Sequence, residues 1–137
     1  MGLLLRAAAA AIVLFCTGCE DRLPIAPVSG RVLLEGEPLA NATVIFQPRM
    51  EEDKRSSAAP GSVGRTDADG RYELRLIAPD LPGALIGKHS VRITTATATA
   101  DDSKLPSGER VPLAWRDGSH TFVVPPAGSD AADFVID

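Results

Sequence analysis

The chain has 137 residues, a formal net charge of −4 and 45% apolar residues. That length suits one folded domain around one core. The mild acidity, with lysine and arginine scattered and no basic cluster, argues against nucleic acid or anionic lipid as a direct partner.

The first elements are those of an export signal. A single basic residue, Arg6, precedes an apolar run over residues 7–15, and the small residues Thr17 and Gly18 stand before Cys19. The run is too short to cross a bilayer, which takes about 20 apolar residues, and lengthening it backwards buries Arg6. Met1 and Gly2 do not open a myristoylation motif, because Arg6 stands where Ser or Thr is required. The stretch that ends at Cys19 resembles the lipobox of bacterial lipoproteins, with Cys16 where leucine is usual. The resemblance implies a signal peptide over residues 1–18, cleavage after Gly18, and acylation of Cys19 by diacylglycerol and fatty acid such as palmitate. It places the protein on the outer face of a bacterial membrane, periplasmic or at the cell surface. A cleaved, lipid-free secreted chain and an uncleaved transmembrane anchor are the alternatives. With Cys16 discarded and Cys19 acylated, no disulfide is left to the domain.

Residues 19–27 read as a tether, since Pro24 and Pro27 keep the chain extended. The domain then runs over residues 28–137. In residues 28–35, Val28, Val32 and Leu34 share one face, and Ser29, Arg31 and Glu35 the other. Residues 71–76 alternate strictly, with Tyr72, Leu74 and Leu76 against Arg71, Glu73 and Arg75. Period two with one charged face predicts a strand with one side on the core. Further strands are predicted over 42–47, 63–66, 88–95, 119–124 and 133–136, and a weak helix over 80–86 is opposed by Pro82 and Gly83. Turns fall at Gly36 and Pro38, at Asp67 to Gly70, and at Asp117 and Gly118. Residues 49–62 and 97–109 read as exposed, mobile loops, better explained as tolerated insertions than as binding elements. The expected fold is all-β: a single antiparallel β-sandwich of about seven strands behind a cleaved N-terminal signal.

Four segments in order, residues 28–32, 36–46, 64–74 and 87–93, resemble the carboxypeptidase regulatory-like domain, a transthyretin-like β-sandwich. The resemblance covers about residues 28–95. Residues 110–115 fit its proline-aromatic segment, and residues 125–132 are longer and looser than the pattern. It implies scaffold roles for Gly30, Pro38, Leu39, Thr66, Asp67 and Gly70, and an accessory module in place of a catalytic one.

A search for chemistry finds none that converges. Asp67, Asp69 and Gly70 would begin a calcium loop, but its twelfth position is Ala78, so a turn is the better reading. His89 and His120 read as surface or strand-edge residues, too few for a zinc site. There is no Gly-x-Ser-x-Gly elbow, and the terminus lacks the Tyr-Arg-Gly-Ser ending of transthyretin-like hydrolases. Asn41 starts a formal glycosylation sequon yet fits the turn before the second strand, and Arg31 stands where an isopeptide bond would need lysine. Trp115 and Tyr72 are the candidate binding surface, although Trp115 fits better as a cap on one end of the sandwich. The expectation is a non-catalytic, lipid-anchored envelope protein without cofactor or metal. It would be held to the membrane through Cys19, would bind an envelope protein, and would not bind nucleic acid. A carbohydrate-binding module is the alternative, and a small hydrolase of transthyretin-like fold a remote one.

Overall fold

A computed structural model describes residues 23–49, 59–96 and 108–137. The signal segment, Cys16 and Cys19, most of the tether, and the greater part of both long loops lie outside the described residues.

The alternating segments form short strands: β1 (Ile25–Ala26), β2 (Ser29–Leu34), β3 (Glu37–Pro38), β4 (Thr43–Pro48), β5 (Ser62–Arg65) and β6 (Arg71–Glu73). They continue as β7 (Arg75–Leu76), β8 (Leu81–Pro82), β9 (Ala84–Leu85), β10 (Gly87–Thr94), β11 (His120–Val124) and β12 (Phe134–Ile136). A single 3-10 turn, Leu113–Trp115, precedes β11.

One sheet has the order β11-β10-β4-β5-β7-β8. The other has the order β12-β2-β3, with β6 also paired to β2. A two-stranded ribbon of β1 and β9 completes the sandwich. The named ladders are antiparallel except one, in which β12 runs parallel to β2 and places Phe134 opposite Val32. The core holds Val32, Leu39, Val44, Phe46, Ile93 and Ile136, all at 0% exposure. It is the expected β-sandwich, with inner faces that are mainly apolar and outer faces that are mainly polar, although Val123 and Val135 are exposed.

The segment over residues 71–76 keeps its alternation but is not one strand. Tyr72, Leu74 and Leu76 are buried and the three charged residues exposed, yet β6 belongs to one sheet and β7 to the other. The crossing is at Leu74, whose N–H donates to Val28 C=O and whose C=O accepts from Gly83 N–H. Side-chain parity survives a change of sheet because it depends only on extended backbone.

Four expectations need correction. Residues 80–86 form β8 and β9 and no helix, with Gly83 at φ 112° between them. The tether gives way to folded chain before Val28, since Ile25–Ala26 pairs with β9 and Ala26 is buried. Residues 125–132 are held tightly: Ser129 N–H donates to Pro27 C=O, and Ala132 is fully buried. His89 is not at the surface, as described below.

The glycine expected to permit close approach does so. A Cβ on Gly30 would lie 2.0 Å from Ala132 O, so any side chain there would push away the segment that leads into β12.

Candidate functional site

Tyr72 and Trp115, the two aromatic candidates, lie in different settings. Tyr72 sits on β6 at the parity of Leu74 and is 3% exposed. Its hydroxyl donates to Ala132 C=O at 2.6 Å. Burial, and then the nearby Asp133 carboxylate, push its pKa well above the ordinary tyrosine value. Its ring therefore offers no face on which a ligand could stack, because inward parity makes it core.

Trp115 ends the 3-10 turn and is half-buried. One ring face is covered by His120, stacked at a centroid distance of 3.6 Å and an interplanar angle of 8°. Its edge meets Phe134 at 5.9 Å. His120 opens the edge strand β11, as expected, and serves as a plate over the tryptophan. The turn at residues 117–119 positions the pair: Ser119 N–H donates to Asp117 Oδ1 at 2.8 Å.

His89 corrects the surface reading. It lies on β10, which is paired on both sides, and shares the inward parity of Val91 and Ile93. It is 1% exposed and 5.6 Å from the Phe46 ring. Nδ1 donates to Gly87 C=O at 3.0 Å, which leaves Nε2 as a buried acceptor without a partner. Burial lowers its pKa, and the Gly87 bond opposes the shift only in part.

The turn at Asp67 is made by hydrogen bonds that leave its carboxylate engaged. Oδ1 accepts from the N–H groups of Asp69 and Arg71, and Gly70 takes φ 75°. Among the described residues no group of three His, Cys, Asp or Glu converges as a metal site would require.

Among the described residues, two concave surfaces bear on function. The smaller, about 520 Å³, lies between Arg92, Arg116 and Glu109. Burial of the Glu109 carboxyl would raise its pKa. Hydrogen bonds from the Thr94 hydroxyl, the Thr95 and Val111 N–H groups and the Thr95 hydroxyl outweigh this and hold it down to about 2. It thereby ties the end of β10 to the segment before the 3-10 turn.

The larger is an open groove of about 860 Å³ at the seam where the chain passes from β6 to β7, with Tyr72 at its floor. Arg31, Arg65, Arg71 and Arg75 line it from four strands, β2, β5, β6 and β7. Period-two patterning marked each of these arginines as outward-facing or placed it beside a turn. Their convergence needed the sheet pairing, because they are spread over 44 positions of separation between Arg31 and Arg75.

No family model matches the chain, and no curated protein or solved structure matches it. The class is the one its own geometry defines, an all-β sandwich whose sheets are antiparallel apart from the β12–β2 pair.

Proposed function

We propose that this is a non-catalytic, lipid-anchored protein of the bacterial cell envelope, whose sandwich is a carboxypeptidase regulatory-like domain acting as an interaction or structural module. The observation that carries the reading is the placement of the chemically capable side chains. His89 is in the core, His120 lies against Trp115, and the Tyr72 hydroxyl is bonded to Ala132 C=O. Each is committed to the scaffold, while the charged groups converge in an open groove suited to docking. Lipidation at Cys19 supplies the attachment and rests on the signal-like segment before it. A carbohydrate module built on Tyr72 and Trp115 is less well supported, because one ring is buried and the other has a covered face.

Two measurements test the reading. Intact mass of the protein from the membrane fraction should show a chain that begins at Cys19 and carries added acyl mass; a lipid-free chain sinks the anchor. Crosslinking in intact cells should capture one reproducible envelope protein. Scattered crosslinks to abundant proteins only would sink the interaction module.

A further inference from the structure

We propose that the seam groove binds an acidic saccharide, one that carries a carboxylate on its rings as uronic acids do. The inference rests on the interaction-module reading for its biological setting only, since binding itself is a property of the groove.

The argument starts with strand register. Arg31 of β2 and Arg71 of β6 are directly opposite each other in an antiparallel pair. Cross-strand partners point to the same face, and like charges in that position are destabilising. Asp67, Glu73, Asp130 and Asp133 line the same groove and offset the four arginines in overall charge, yet among the described residues none of them forms an ion pair with Arg65 or Arg71. Asp67 is held by backbone N–H groups, and Asp133 Oδ1 accepts from Arg31 N–H at 2.8 Å. Arg31 Nε donates to Asp69 C=O, which is neutral, and Arg75 pairs with Asp80 at 2.8 Å. Among the described residues the guanidinium groups of Arg65 and Arg71 make no such bond. Two planar donors that make no such bond among the described residues, beside a third arginine, form a receptor for a carboxylate, which they can hold by paired N–H···O bonds.

The remaining lining selects the ligand class. Glu73 and Asp130 also face the groove. A densely charged polyphosphate or nucleic acid would meet them as like charges. A uronate chain has one carboxylate per ring and hydroxyl groups between. Its carboxylates suit the arginines, and its hydroxyls can donate to Glu73 and Asp130. The backbone beneath the four arginines and Glu73 is held in strands, and Gly64 lets β5 close on β6; a Cβ there would lie 2.6 Å from Glu73 O.

The test is calorimetric titration of the protein, as purified from cells producing it, with an oligogalacturonate at low salt. A neutral malto-oligosaccharide of equal length and polyphosphate serve as comparisons. Saturable binding of the galacturonate in preference to both is expected. Arg65→Gln with Arg71→Gln should weaken it at least about tenfold, the loss of one charged hydrogen-bonded contact. Arg92→Gln, on the other concave surface, should leave it unchanged. Should the double variant fail to fold, Glu73→Gln decides instead: it should weaken galacturonate binding and strengthen that of polyphosphate. Absence of galacturonate binding, preference for polyphosphate, or equal loss in Arg92→Gln overturns the proposal. A crosslinked protein partner without saccharide binding would overturn it too, and would leave the interaction-module reading standing.

Discussion

At the scale of the residue, His89 and Glu109 are both held away from their ordinary protonation equilibria, and they respond to acid in different windows. His89 is held neutral, so its folded pKa lies below the ordinary 6.5. As pH falls below about 6.5 the unfolded chain takes up the proton first, and stability declines until the folded value is passed. Urea unfolding midpoints should therefore drop between pH 7 and 5. His89→Phe should flatten that dependence; an unchanged slope in this variant would place the sensitivity elsewhere. Glu109 is held charged, with a pKa lowered from 4.5 to about 2. Its contribution is complete above pH 4.5 and is lost as pH falls toward 2. Glu109→Gln should lower the melting temperature at pH 7 by the equivalent of about 1 kcal/mol, and the difference from the parent should vanish near pH 2. Equal destabilisation at both pH values would show that packing, not charge, is what Glu109 supplies.

At the scale of the element, close backbone approach decides which strands can pair. Gly30 sits where a Cβ would overlap the carbonyl of Ala132, whereas Gly36 has open space around it but φ 81°. Gly30→Ala must therefore shift the chain entering β12, at a cost of about 1–3 kcal/mol or more. Gly36→Ala adds only left-handed strain, about 1 kcal/mol. Equilibrium denaturation of both variants checks the order, and a milder loss for Gly30→Ala would contradict the packing argument. The same short-range geometry explains the interruption of the segment over residues 71–76. Its pattern is that of one strand, but Leu74 gives its backbone hydrogen bonds to Val28 and Gly83, so β6 and β7 part company there.

At the scale of the whole molecule, β12 closes the sandwich from the far end of the chain. It pairs with β2, which starts about a hundred residues earlier, and brings Phe134 and Ile136 into the core. Removing residues 133–137 would expose the β2 edge and the apolar surface beneath it. The shortened protein should bind a hydrophobic dye at neutral pH and lose its cooperative unfolding transition; a sharp transition would show that the closing strand is dispensable. Much of this architecture was legible in the residues. Alternation over 28–35 and 71–76 marked the buried and exposed faces, and Asp67 with Gly70 marked the turn, because parity and turn chemistry are local properties. The sequence alone determined an all-β chain with polar outer faces and an acidic balance, together with a signal-like start. Only the tertiary structure decided that His89 is core, that Trp115 lies under His120, and that arginines from four strands meet in one groove. Such outcomes depend on which strands lie side by side, and alternation within a strand fixes its buried face but not which distant strand becomes its neighbour.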